Sequence, residues 1–272
     1  MVEEIITVFC ICDDYLNAVG YRDNCQTRTS SAEVLTTAIV SAKYFGGNYS
    51  RSRCFMKSHN YIPRMISESR FIRRIEAIGD KIIRGLFEIM ARTFKLANPE
   101  NVYAIDSFPV PVCLNARISR CKIYTEQKYM GFCASKNEYF YGLKVHMLVS
   151  KSGRPVEFII KPGSYSDISI ARQFKFDVKL QSKIHADKGY TDYKFEDYLE
   201  LQKNISFAVQ RKSNAKRRPR GYCGKTRKVI ETTFSQIVKQ FAKKIHAVTA
   251  KGFELKIVMF IFAYAMDFLV AT

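Results

Sequence analysis

Three carboxylates in the sequence stand where a metal-dependent enzyme acting on phosphodiesters would place them. Asp106 follows the short run 102–105 and Asp187 follows the run 183–186, so both are expected at the ends of β-strands. Glu231 lies in an amphipathic stretch and is expected on a helix. Because a mixed sheet can bring strand ends together and pack a helix beside them, the three acids are predicted to converge.

Converging carboxylates repel one another unless cations lie between them. Their hard oxygen atoms prefer Mg²⁺ or Mn²⁺ as ligand partners. Two such ions about 4 Å apart are suited to in-line attack at phosphorus. The sequence therefore predicts a site for two Mg²⁺ or Mn²⁺ ions, in which Asp106, Asp187 and Glu231 are both the metal ligands and the catalytic acids.

Each of these acids, taken alone, also has a purely structural interpretation. Asp106 could cap a turn before Pro109, Asp187 could cap a turn before Gly189, and Glu231 could be an exposed helix residue. The joint pattern favours the metal site over three coincidences.

Other acids compete for the same role, namely Asp167, Asp177 and Asp192. Asp167 is the most plausible substitute, although we expect Asp167 and Asp192 to cap the helices that follow them.

The chain of 272 residues carries a formal net charge of +19, and 47% of its residues are hydrophobic. This hydrophobic content is enough for a packed core and argues against a disordered protein. The positive charge favours a polyanionic partner, either nucleic acid or an anionic membrane, although a merely basic or ribosome-associated protein has the same composition.

A membrane protein is not expected, because the most apolar stretch, 253–270, contains Glu254, Lys256 and Asp267 and is better explained as a buried helix. The acidic start of the chain differs from a signal peptide, so a cytoplasmic location is expected. The eight cysteines include no Cys-x-x-Cys pair and are expected to be free thiols.

A basic segment, 211–228, contains nine Lys or Arg residues and no acid. Its proline and two glycines predict a loop, and its charge predicts a clamp on the DNA backbone, since phosphate contacts supply most of the affinity for nucleic acids. A solvated loop is the alternative. The candidate DNA-binding residues are Arg211, Lys212, Lys216, Arg217, Arg218, Arg220, Lys225 and Lys228.

Arg227 lies four residues before Glu231 and therefore on the same helical face. We expect it to orient that carboxylate or to hold a phosphate. Tyr190, after Gly189, could support Asp187, stack on a flipped base or simply pack in the core.

The order of elements predicts an α/β protein. Residues 1–100 form an all-helical N-terminal region, and residues 101–272 run strand, hairpin, helix, strand, helix, strand, helix. This order describes a mixed sheet flanked by helices, with the basic loop 211–228 inserted before the helix of Glu231.

This arrangement resembles the ribonuclease H-like core of DDE transposases, and in particular the bacterial insertion-sequence transposases of the insertion sequence 982 family. The resemblance covers most of the chain and depends on an ordered set of short motifs rather than on one specific motif. The set comprises Ala104-Ile105-Asp106-Ser107, Tyr141-Gly142-Leu143-Lys144, Gly153-Arg154-Pro155, Asp187-Lys188-Gly189-Tyr190 and Arg227-Lys228-Val229-Ile230-Glu231, with Tyr61-Ile62-Pro63-Arg64-Met65 and Ser69-Arg70-Phe71 in the helical part.

Related transposases carry a Tyr-x-x-Arg-x-x-x-Glu pattern that ends in a Lys seven residues after the Glu. Arg227 and Glu231 match it, whereas Gly224 and Val238 stand at the tyrosine and lysine positions. The roles of the arginine and the glutamate are therefore implied here, and those of the tyrosine and lysine are not.

The resemblance implies a DNA transposase that nicks insertion-sequence ends and joins the 3′-hydroxyl to target DNA. Its partners would be double-stranded DNA, both terminal inverted repeats and target, and a second copy of the chain, since an element has two ends. Residues 1–100 would bind DNA ends or form the dimer, and the protein would be nucleoid-associated when acting. The alternatives are a metal-dependent nuclease without strand transfer and a non-catalytic DNA-binding protein derived from a transposase.

Overall fold

The computed structural model describes residues 1–134, 137–218, 221–241 and 245–270. The chain forms two compact units, Met1–Ile89 with Gln236–Thr272, and Met90–Ser235. The boundary between these units differs from the expected division at residue 100, because the C-terminal helix belongs to the first unit. The functional division at residue 100, between a helical region and a catalytic domain, stays a prediction.

The first unit is helical and is built around α2. Ser30 caps this helix in a reciprocal capping box with Glu33, and Gly46 ends it in the left-handed conformation with φ 56°. Helix α2 packs against α1, α3, α4 and α9, and most of its side chains are buried. The helices are α1 (Val2–Ala18), α2 (Ser31–Phe45), α3 (Tyr49–Ser58), α4 (Glu68–Ile78), the first part of α5 (Asp80–Leu96) and α9 (Ala250–Val270).

Helix α9 contains the apolar stretch that the sequence assigns to a buried helix. Phe253, Ile257, Phe260 and Ile261 are fully buried, and the ring of Phe262 lies 5.8 Å from that of Phe87. In the part of the chain that the structure describes, no helix is long and apolar enough to cross a membrane.

The second unit contains a mixed six-stranded sheet. Strand β1 lies between β3, which is antiparallel to it, and β5, which is parallel, and β6 continues the parallel side. Strands β2 and β4 pair with different parts of β3. The strands are β1 (Val102–Cys113), β2 (Met130–Cys133), β3 (Glu138–Ser150), β4 (Pro155–Pro162), β5 (Lys183–Ala186) and β6 (Ser206–Val209).

The helices of this unit are the last part of α5, α6 (Asp167–Ala171), α7 (Tyr193–Lys203) and the part of α8 (Gly224–Gln240) that ends at Ser235. The expected mixed sheet flanked by helices, after a helical N-terminal region, is confirmed. One boundary differs from expectation. Helix α8 begins at Gly224 and not near Lys228, so the last five residues of the basic segment are helical.

Strand β1 continues beyond Asp106, which therefore lies within the strand and not at its end. On the β5 side, the pairing of β1 stops at Ile105. Pro109 and Pro111 are two residues apart, so both missing N–H groups fall on the same side of the strand. Prolines are tolerated at such an edge, where no donor is required. The strand can thus extend past the acid.

Candidate active site

Asp106 and Asp187 are brought side by side by the register of two parallel strands. Ile105 of β1 lies opposite Ala186 of β5, and the two acids are the residues that immediately follow them in the sequence. Neighbouring strands are about 4.8 Å apart, so the two side chains start from adjacent backbone positions. The structure therefore brings together the first two acids predicted from the sequence.

Asp106 is held in a largely buried position. Its Oδ1 accepts a hydrogen bond from the backbone N–H of Ser107 at 2.8 Å, and its side chain is 17% exposed. Burial raises the pKa of Asp106 to about 7, and the neighbouring Asp187 carboxylate adds to this rise, while the Ser107 N–H and the Arg227 guanidinium oppose it. A carboxyl in these surroundings favours the approach of a cation.

Asp187 performs a structural task as well as facing the site. Its Oδ1 accepts the N–H of Gly189 at 2.5 Å, which caps a single 3₁₀ turn, Lys188–Tyr190. A Cβ atom at Gly189 would lie 3.0 Å from this Oδ1 and 3.1 Å from Oδ2 of Asp167. Two carboxylates therefore converge on residue 189, where only a glycine leaves them room.

Glu231 is connected to the strand acids through Arg227. The guanidinium Nη2 of Arg227 lies 2.9 Å from Oε1 of Glu231, and its Nε lies 3.7 Å from Oδ2 of Asp106. The Glu231 side chain is 53% exposed. Arg227 therefore contacts both carboxylates, and its two expected roles, to orient Glu231 and to hold a phosphate, stay predictions.

Helix α8, which carries Arg227 and Glu231, is fixed to the sheet by neighbouring residues on its buried side. The rings of Phe234 and Phe108 are 4.6 Å apart, and the hydroxyl of Thr233 donates to the carbonyl of Gly153 at 3.3 Å. Ile230 is fully buried. Because Glu231 follows Ile230, it lies at the border between the core and solvent.

Asp167 is not the helix cap that we expected from the sequence. Ser166 caps α6 with its side chain, and Asp167 is the first residue of the helix. Its Oδ1 instead accepts a hydrogen bond from the hydroxyl of Ser107 at 2.8 Å and from the ammonium of Lys144 at 3.4 Å. The reason is that Ser166 satisfies the helix terminus, which frees the Asp167 carboxylate to turn towards β1 and β3. By contrast, Asp192 caps α7 as expected, accepting from the N–H groups of Lys194 and Phe195.

Sequence reasoning missed the residues of β3 that face Asp167. Lys144 and His146 are two residues apart, and His146 lies opposite Ser107 in the register. The His146 ring is fully buried, with Nδ1 3.7 Å from Oδ1 of Asp167. Burial lowers the pKa of His146 to about 4, so the ring is neutral at pH 7 and Lys144 is the cation facing Asp167. The sequence does contain a signal for them, because Lys144 and His146 are polar residues two positions apart within the apolar run of β3.

Tyr190 is fully buried, and its phenol is exposed to the negative charge of Asp167, Asp106 and Asp187. Burial, and then the negative charge of these carboxylates, raises the pKa of Tyr190 far above its usual value, so the phenol remains protonated. Its burial leaves no ring face for a base. A supporting role for Asp187 stays a prediction.

The donor atoms of the site are oxygens, which suits Mg²⁺ or Mn²⁺ by chemistry. The described residues nevertheless contain no ready group of three or more His, Cys, Asp or Glu side chains that could hold a metal ion. Glu231 is paired with Arg227. A two-ion site would therefore need Glu231 to exchange this partner for a cation.

The basic segment divides into paired and unpaired cations. Arg211 is 5% exposed and forms a double ion pair with Glu196, while Arg217 is paired with Asp197 at 2.7 Å. The ring of Tyr193 lies against both guanidinium groups. Arg220 lies outside the described residues. Exposed cations, without an ion pair among the described residues, are Lys212, Lys216, Arg218, Lys225 and Lys228. Their contact with DNA stays a prediction.

Comparison with known proteins gives information on the fold and on the family of this chain. The fold is similar to a solved structure described as "Cryo-EM structure of piggyBac transposase synaptic complex with hairpin DNA (SNHP)", with a TM-score of 0.53, 11% sequence identity, and coverage of 98% of this chain and 74% of that chain. At this identity the likeness supports the fold alone. No curated protein matches the chain. Residues 96–249, more than half of the chain, match the family described as "Transposase DDE domain". The chain therefore belongs to the DDE transposase family.

Proposed function

We propose that the protein is a metal-dependent DNA transposase that nicks the ends of an insertion sequence and joins the freed 3′-hydroxyl to target DNA. The observation that carries this proposal is the placement of Asp106 within β1 beside Asp187, which directly follows the parallel strand β5, with Glu231 linked to Asp106 through Arg227. Membership of the DDE transposase family supports a polynucleotidyl transfer reaction rather than an unrelated use of these acids.

Asp106, Asp187 and Glu231 would hold two Mg²⁺ or Mn²⁺ ions. When bound, such ions supply activation of the attacking oxygen and neutralisation of charge on the leaving oxygen. The protein contributes orientation. A backbone N–H fixes one oxygen of Asp106 and one of Asp187, which leaves the second oxygen of each for a ligand.

Arg227 would act as the exchangeable partner of Glu231. While it bridges Glu231 and Asp106, it partly neutralises both carboxylates. If Asp106 and Glu231 held cations instead, the Arg227 guanidinium would be free to bind a DNA phosphate, for which its planar fork is well suited.

The finer points of the proposal follow from the reaction. The resemblance to the bacterial insertion sequence 982 family would make the DNA partners the terminal inverted repeats and a target duplex. Two ends require two sites, so we expect a homodimer on DNA. Residues 1–100 would bind the ends or form the dimer, and the protein would act on nucleoid DNA in the cytoplasm.

The decisive experiment uses the full chain, a supercoiled plasmid carrying the repeats that flank its gene, and a target plasmid. We expect nicking and joining in Mg²⁺, and neither reaction with Asp106→Asn. Nicking without joining of a pre-cut end would favour a nuclease. DNA binding without nicking would favour a non-catalytic protein derived from a transposase.

A further inference from the structure

The helical unit contains an open cleft lined by arginines. A cavity of about 700 Å³ lies between the connection of α1 to α2 and helix α4, and a second of about 490 Å³ adjoins it. Arg28, Ile66 and Arg70 line both cavities, so they form one continuous surface. We call it the arginine cleft. Its arginines are Arg28, Arg64, Arg70, Arg73 and Arg74.

Four of these arginines carry charge that the protein itself does not compensate. Arg28, Arg64, Arg70 and Arg73 are exposed, and within the described ranges of the chain none has an ion pair with a carboxylate. Arg74 differs, because it contacts Asp23 at 2.7 Å. The cleft thus presents four guanidinium groups that have no carboxylate partner, of which Arg73 donates from Nε to the carbonyl of Ser69 at 3.2 Å.

The walls of the cleft are held by hydrogen bonds. Besides its ion pair, Arg74 donates to the hydroxyls of Thr27 at 3.2 Å and Ser31 at 3.0 Å. The hydroxyl of Thr29 donates to the carbonyl of Arg64 at 2.8 Å, which connects the two sides of the cleft. The walls are therefore held in place before a ligand binds, and the exposed arginine side chains are what a ligand would have to order.

One face of α4 forms the floor of the cleft. Arg70, Arg73, Arg74 and Ala77 follow helical spacing and line the larger cavity. The opposite face, with Phe71, Ile75 and Ile78, is buried in the core. At the start of α4, the side chain of Ser67 makes no capping hydrogen bond, which leaves backbone N–H groups beside Arg64 and Arg70. These groups and the helix dipole add to the attraction for an anion.

We propose that the arginine cleft binds the phosphate backbone of duplex DNA. Guanidinium groups bind phosphate oxygens in a bidentate manner, and four of them spread along an open cleft suit a repeating polyanion better than one small phosphate. The choice of DNA as the polyanion rests on the proposed function. The cleft then gives the helical unit a role in holding DNA, where the sequence alone left end binding and dimerisation equally open.

The test compares two triple variants of the full chain. The cleft variant carries Arg28→Gln, Arg70→Gln and Arg73→Gln. The control carries Lys57→Gln, Lys81→Gln and Arg84→Gln, which removes the same charge from exposed residues of the same unit that line neither cavity. Binding to a short duplex of arbitrary sequence is measured as a function of salt, beside a melting curve for each protein.

Every phosphate that the protein no longer neutralises should reduce the slope of log affinity against log salt by about 0.9, so we expect a fall of about 2 to 3 in the cleft variant and less than about 1 in the control. An unchanged slope in the cleft variant, or an equal fall in the control, would overturn the proposal. The same titration is made with an RNA duplex. If the cleft variant lost affinity for the RNA duplex and not for the DNA duplex, the proposal would also be overturned, because the ligand would then be RNA.

The same titration separates this proposal from the proposed catalytic function. If the unaltered protein binds DNA through the cleft but never nicks it, the transposase reaction is wrong and the cleft proposal stands. If the protein nicks and joins DNA while the cleft variant binds with an unchanged slope, the reverse holds.

Discussion

The acids on the sheet and the acid on α8 are held in different ways. Asp106 and Asp187 each have one oxygen fixed by a backbone N–H, and Asp106 lies within β1 while Asp187 directly follows the neighbouring strand β5. Glu231 is half exposed and is held by a side chain of its own helix, Arg227. Two positions of the site are thus set once the sheet forms, whereas the third can adjust. This difference predicts unequal tolerance to substitution.

The largest effect is expected for Asp106→Asn, which keeps the size of the side chain and removes its charge. Loss of several kcal/mol of metal-dependent stabilisation corresponds to at least about 10³-fold slower nicking and joining. Because a buried charge is removed, melting should be unchanged or slightly higher in temperature. Rates in Mg²⁺ and a melting curve test this. Full activity would contradict a role for Asp106 as a ligand, and failure to fold would return it to a structural role.

A change of side-chain length tests the difference between the two kinds of acid directly. Asp106→Glu should be as inactive as Asp106→Asn, because the backbone N–H bond and the strand register fix where the carboxylate must lie. Glu231→Asp should retain activity, reduced by about 10- to 100-fold, since an exposed helix side chain can adjust. Nicking rates over a range of Mg²⁺ concentrations measure both. Equal loss in the two variants would show that Glu231 is held as rigidly as Asp106.

Asp167→Asn is expected to slow nicking by about 10- to 100-fold, although Asn can still accept the hydrogen bond from Ser107. The reason is that its charge faces Lys144 and lies beside Asp187 across Gly189. Mn²⁺ affinity, measured by calorimetry, should fall together with the rate.

Asp192→Asn is the matched control for this variant, because Asp192 is a helix cap and also an aspartate. It should cost at most about 1 kcal/mol of stability and leave the nicking rate unchanged. If Asp167→Asn behaved like this control, the contacts of Asp167 would be structural only.

The smallest effect is expected in the basic segment that precedes α8. Neutralising Lys212, Lys216 and Arg218, which are exposed, should reduce the salt slope of DNA binding by about 0.9 for every side chain among them that binds a phosphate. Arg217→Gln should reduce the slope by less than about 0.9, because Arg217 is already paired with Asp197. Filter-binding titrations at several salt concentrations measure both. A larger change for Arg217 would mean that DNA displaces Asp197.

Local pattern was enough to predict several elements of the sheet and the apolar C-terminal helix. The hairpin of β3 and β4, the short strand β5 and the helix α9 lie close to their expected positions. Strand β2 was not predicted, because Met130–Cys133 contains a glycine and no β-branched residue, unlike the equally short strands β5 and β6. It exists because β3 extends far enough to offer it an edge.

The arrangement of the site was predictable only in part, because it depends on contacts between distant residues. The acids of β1, β5 and α8 could be picked out one by one from their positions in strands and a helix. The bond between Ser107 and Asp167 joins residues 60 positions apart, and no local signal reports it. In the same way, the charge of Arg211 suggested a DNA contact, and its partner Glu196 became apparent only in the fold.

The glycine at 189 has a practical consequence for experiments on this protein. A methyl group there would act as a wedge, since it would come within 3.0 Å of one carboxylate and 3.1 Å of another. Gly189→Ala would thus spread the acidic residues apart without altering a single charge in the molecule. Such a protein would be a tool for asking how much of the reaction depends on spacing, with the overall electrostatic attraction for DNA left intact.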